Sequence, residues 1–149
     1  VKSSSSTFSN ENRAFRQLPL LAAGDLLMLL LFVVIGRMSH GMTSDWLVNL
    51  LRIATPFVLG WAIAAIATGA YRPRSWQKPT EFMVRSVGAW LLGVGLAFLL
   101  RHFLMQDRIT LPFALTSVAF TGLFLLVWRV GFLVWLTEVR LFRKSRTSS

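Results

Sequence analysis

Four stretches of this chain are apolar for long enough to cross a lipid bilayer, and they leave little chain for anything else. A membrane-spanning helix needs roughly 20 consecutive, mainly apolar residues. The stretches cover about residues 18–36, 53–71, 84–101 and 109–129, and the last continues past Arg129 over 130–136. A soluble helical core would instead show polar faces recurring near every 3.6 residues. Residues 62–70 and 91–100 have almost no polar positions to build such a face. Charged residues make up only 15% of the chain, against ~25% in an ordinary soluble domain. The expected fold class is therefore all-α, a transmembrane bundle of four helices. Residues 1–17 read as a flexible basic segment, 18–136 as the transmembrane domain and 137–149 as a basic tail. The first apolar run ends in Gly36, Arg37, Met38, Ser39 and His40. It lacks a small-residue cleavage pattern, so it reads as a retained span and not a signal peptide.

The net charge of +10 then needs a reason. Cations in short loops orient membrane proteins with their basic side inward. Lys2, Arg13, Arg16, Arg72, Arg74, Lys78, Arg85, Arg140, Arg143, Lys144 and Arg146 fall on one side of the expected topology. Arg37, Arg52, Arg101 and Arg108 fall on the other, and Arg129 belongs to neither. Both termini are expected to be cytoplasmic, or stromal in a thylakoid. The membrane is expected to be a bacterial inner membrane or a thylakoid membrane. Contact with anionic lipids uses the same charge. Nucleic acid is not an expected partner, because the basic ends are short and Ser-rich and lack interleaved aromatics. Without Cys there are no disulfides, thiol nucleophiles or Cys-bound metals.

A repeated pattern suggests internal organisation. Residues 52–59 and 108–115 share R-I-x-x-P-F-x-L. Two helical hairpins of like orientation are one reading. The other is a helix-start signal met twice, with Pro56 and Pro112 in the first turn, where a missing N–H costs nothing. Small residues recur at helical spacing as Gly60, Ala64 and Thr68 on span two and as Ala89, Gly93 and Ala97 on span three. In lipid such ridges let helix backbones approach closely, so these two spans are expected at the heart of the bundle. Trp46, Trp76, Trp90, Trp128, Trp135 and Tyr71 mostly fall near the expected interfaces, where amphipathic rings anchor.

Two polar groups stand out. Asp25 is the one acidic residue inside a span, and a charge there costs at least ~2.5 kcal/mol unless it is paired. Arg129 is the preferred partner, with Arg72 and Arg85 as alternatives that snorkel inward. A structural clasp between spans one and four is preferred over a proton or cation site, because no second acidic residue continues a relay. At the other end lie Arg37, His40, Arg101 and His102. Capping of carbonyls and contact with lipid phosphates is the simpler reading. Haem or chlorophyll magnesium bound through His40 or His102 is the alternative. No metal site, Walker motif, dinucleotide fingerprint or zinc-protease motif occurs, so no catalytic residues are assigned and the chain is not expected to be an enzyme.

The sequence resembles a bacterial family of small four-span membrane proteins, domain of unknown function 3054. The resemblance rests on Asp25 with the run 32–40 (Phe32 to His40), Thr55-Pro56-Phe57-Val58-Leu59-Gly60, residues 93–101, and the stretch from Phe113 to Trp128 and Arg129. It implies the four-span topology and assigns no activity. The leading expectation is a non-enzymatic accessory or stabilising subunit of a larger membrane complex, in a photosynthetic or respiratory assembly. The alternative is a small transporter or channel acting as a homo-oligomer.

Overall fold

The computed structural model describes residues 4–39, 45–106 and 109–146. They form four helices: α1 (Ser4–Ser39), α2 (Trp46–Ala67), α3 (Pro79–Met105) and α4 (Leu111–Arg146). A 3-10 turn, Pro73–Gln77, links α2 to α3, and no strand occurs among the described residues. Each helix contains a stretch long and apolar enough to cross a membrane: Gln17–Ser39, Trp46–Ala67, Pro79–Phe103 and Leu111–Val139. The protein is an all-helical, membrane-type four-helix fold.

Helix ends depart from the sequence reading where breakers are missing. Residues 4–17, read as flexible from their composition, continue α1 as helix, and α4 runs on through 137–146. Neither segment holds a Gly or a Pro, so a helix nucleated in the apolar span propagates into it. α2 begins at Trp46, because Asp45 supplies a left-handed turn (φ 47°) and the residues after it favour helix. Pro56 therefore lies well inside α2 and is buried, which corrects the expectation that it opens a span. Pro112 is the second residue of α4. The two copies of the R-I-x-x-P-F pattern occupy different positions in their helices.

The phenylalanines of those copies nevertheless meet. Phe57 and Phe113 have ring centroids 6.5 Å apart, and both pack near Phe98. Phe32 of α1 meets Phe57 edge-on at 5.2 Å. Such pairs contribute roughly 0.5–1.5 kcal/mol each beyond their area burial. Towards the end of the bundle where α1 starts and α4 finishes, a second apolar cluster gathers Leu21, Trp76, Phe82, Phe132 and Leu136.

α2 and α3 are the most extensively packed pair. A Cβ at Gly60 would run into the Gly93 carbonyl and lie 2.8 Å from the Ala97 nitrogen. Ala64, Ala89 and Ala97 are buried along the same contact. Thr68 ends the ridge as the C-cap of α2, its hydroxyl donating to the Ala64 carbonyl at 2.9 Å.

Three tryptophans read as interfacial are instead interior or partly so. Trp76 is buried and meets Phe132 edge-on. The Trp128 ring fills the space beside Gly24, and the Trp90 ring the space beside Gly122. Glycine leaves a hole and indole is the largest side chain, so each pair locks two helices together. Large apolar side chains cover much of the outer surface, with Val48, Ile66, Phe103 and Leu111 each at least 70% exposed. A surface like this suits lipid and would aggregate in water.

Candidate functional site

The polar centre of the protein is Arg129. Its side chain and that of Asp25 are both 0% exposed. Arg129 Nη2 donates to Asp25 Oδ2 at 2.7 Å and Arg129 Nε to Asp25 Oδ1 at 3.1 Å. This is the paired geometry in which a planar guanidinium matches a carboxylate. The remaining nitrogen, Nη1, donates to Ser86 Oγ at 3.0 Å and, at 3.4 Å, to the Ala70 carbonyl. Asp25 comes from α1, Ala70 from the turn after α2, Ser86 from α3 and Arg129 from α4, so one guanidinium ties together three helices and the turn that follows the other. Both residues lie about 12–15 Å inside their apolar stretches at 1.5 Å per residue.

Aromatic rings complete the enclosure. The Arg129 guanidinium carbon lies 4.8 Å from the ring centre of Trp61, 5.2 Å from Tyr71 and 5.5 Å from Phe82. A desolvated cation against such rings gains about 2 kcal/mol or more. The hydrogen bonds run in one direction. Trp61 Nε1 donates to Tyr71 Oη at 3.0 Å, and Tyr71 Oη donates to Asp25 Oδ2 at 2.7 Å. Burial, with the Asp25 carboxylate beside it, pushes the Tyr71 phenol above its ordinary value, which keeps the donating proton in place. Ser86 in turn donates to the Phe82 carbonyl at 2.7 Å.

The arrangement is costly to interrupt and quiet when whole. Taking an ion pair out of water carries a desolvation penalty of several kcal/mol per ion, offset only by good geometry and further hydrogen bonds. Here the carboxylate accepts three bonds and each guanidinium nitrogen donates. A network satisfied in this way is rigid.

The other candidate residues lie elsewhere. Arg85 does not reach Asp25. It donates to Glu81 Oε1 from Nε and Nη2 at 3.1 and 2.9 Å, and to the Thr68 carbonyl at 2.7 Å. Arg72 is exposed. At the opposite end Arg37 is buried, and the Arg101 guanidinium lies 4.7 Å from the Phe113 ring centre. His102 is exposed, with its ring edge-on to Phe103 at 5.1 Å. His40 lies outside the described residues. Among the described residues no three His, Cys, Asp or Glu side chains gather to hold a metal.

Sequence reasoning missed most of the enclosure. Ser86 carries no signal beside the stronger Arg85. Tyr71 read as an interfacial anchor. The one available clue was position: the lone Tyr and a deep Trp both fall on the second span, next along the chain from the span that carries Asp25.

A family model described as "Protein of unknown function (DUF3054)" matches residues 22–132. No curated protein and no solved structure matches the chain. The matched stretch contains Asp25, Trp61, Tyr71, Ser86 and Arg129, and it covers most of the sequence. The chain belongs to the DUF3054 family.

Proposed function

We propose that this protein is a non-enzymatic accessory or stabilising subunit of a larger membrane protein complex. The supporting observation is the closed state of its polar centre. A transport group has to exchange partners with ions or water, whereas Asp25 and Arg129 are fully enclosed and bonded to fixed neighbours. The gap beside Trp61, Trp90, Thr121 and Leu125 is about 10 Å³, the scale of one water molecule. A bundle locked inside and apolar outside has its outer surface left for interaction. A photosynthetic or respiratory assembly would be a natural host on architecture alone.

The test is extraction in mild detergent, followed by native gel electrophoresis and identification of comigrating chains. Reproducible comigration with other membrane subunits supports the reading. Migration only alone or as a homo-oligomer counts against it. Substrate flux in liposomes that depends on Asp25 would replace it with the small-transporter reading.

A further inference from the structure

A second charged feature lies outside the buried centre, where α2 hands over to α3. Gly69 sits there in the left-handed region with φ 65°, a conformation that suits glycine. The turn fixes the Arg72 backbone. Arg72 N donates to the Gly69 carbonyl at 3.0 Å, and the Arg72 carbonyl accepts from Ser75 N at 3.1 Å and Ser75 Oγ at 2.7 Å. Two arginine side chains then lie against the same glycine. A Cβ at Gly69 would come 2.8 Å from Arg85 Nη1 and 2.9 Å from Arg72 Nε.

The two guanidiniums are not equally engaged. Arg85 is held by Glu81 and by the Thr68 carbonyl. Arg72 is exposed, and among the described residues its guanidinium has no hydrogen-bond acceptor. The Glu81 carboxylate is engaged by Arg85 and not by Arg72, and the exposed Lys78 adds to the local positive charge. Like charges held together repel unless an anion joins them. The level is also specific. The apolar stretch of α2 closes at Ala67 and that of α3 opens at Pro79, so Arg72 stands at the height of lipid head groups. A planar guanidinium fits phosphate oxygens in pairs.

We infer that Arg72 and Arg85, brought together over Gly69, form a binding site for a phosphate group, supplied by an anionic lipid head group or by free phosphate. Arg72 contributes the open donors. Arg85 contributes charge from a fixed position. Gly69 leaves the space in which both side chains lie.

The full chain, purified in mild detergent, is titrated in native mass spectrometry with phosphatidylglycerol, with phosphatidylcholine, and separately with inorganic phosphate. Arg72→Gln is expected to weaken binding about tenfold, as for loss of a charge-assisted hydrogen bond. Arg72→Lys should retain part of the binding, and Lys78→Gln should change it less than twofold. Arg72 side-chain bonds hold no other element in place, so unchanged thermal unfolding of Arg72→Gln verifies that its fold is intact. Arg72-dependent binding of phosphatidylglycerol alone identifies a head-group site, and Arg72-dependent binding of inorganic phosphate identifies a soluble source. Equal losses in Arg72→Gln and Lys78→Gln overturn the site in favour of diffuse charge. Wild-type binding in Arg72→Gln overturns it as well.

Discussion

Arg129 of α4 holds Asp25 of α1 through two hydrogen bonds, at 2.7 and 3.1 Å, with neither side chain exposed. The first and last helices are thereby joined by a single ion pair, and Ser86 and the Ala70 carbonyl extend the junction to α3 and to the turn after α2.

Removing one partner should be far worse than removing both. Asp25→Leu alone leaves a buried uncompensated cation, a loss of about 3–5 kcal/mol. Arg129→Met alone leaves the carboxylate in the same position. The Asp25→Leu, Arg129→Met double variant should recover much of the stability, because an apolar pair carries no desolvation penalty. Thermal unfolding in detergent and yield from membranes measure this. A single variant as stable as the wild type would falsify the clasp.

Tyr71 is the single tyrosine of the chain, so tyrosinate absorbance near 295 nm reports on it alone. Burial and the Asp25 carboxylate raise its pKa in the folded state. The phenol should therefore stay protonated in the folded protein as pH passes the ordinary tyrosine value of about 10, and ionise near that value once the chain is unfolded. The sign follows by linkage. Stability from this group is complete below about pH 10 and declines above it, because only the unfolded state has released its proton. Tyr71→Phe should reduce that alkaline decline and cost about 1–3 kcal/mol at neutral pH by stranding the Trp61 N–H.

The α2–α3 contact gives a paired test. Gly60→Val places side-chain atoms on the Gly93 carbonyl and should cost at least about 1–3 kcal/mol through overpacking. Gly95, on the exposed side of α3, has nothing within 4 Å of a built Cβ. Gly95→Ala should be neutral or stabilise by up to ~1 kcal/mol through helix propensity. Circular dichroism melts of the two variants side by side decide the matter. Similar melting temperatures would show that the tight approach does not hold the bundle.

The distribution of cations makes orientation testable without background. The chain has no Cys, so Ser3→Cys and Ser44→Cys each offer one thiol. A membrane-impermeant maleimide applied to intact cells should label Ser44→Cys and spare Ser3→Cys, as the basic-side-inward rule requires. The reverse pattern would invert the expected topology.

Fold class was readable because length and hydropathy are local properties: a run of some 20 apolar residues has few homes besides a membrane. The glycine and alanine ridge was readable for the same reason, since helical spacing puts Gly60 and Ala64 on one face whatever they touch. Pro56 shows the limit. The same residue opens a helix or lies inside one, depending on whether the chain before it already forms helix. At Trp46 it does.

By itself the sequence determined four spans, an α2–α3 ridge, and one intramembrane acid with three cations within reach. Only the tertiary structure chose among them. It gave Arg129 to Asp25, gave Arg85 to Glu81 and Thr68, and left Arg72 at the surface. It also turned Trp61, Tyr71, Phe82 and Ser86 into the walls of one polar centre. Hydropathy and periodicity state which side chains prefer to be buried. Which of them meet depends on how helix faces rotate and pack, here set by an indole fitting beside Gly24 and a second beside Gly122.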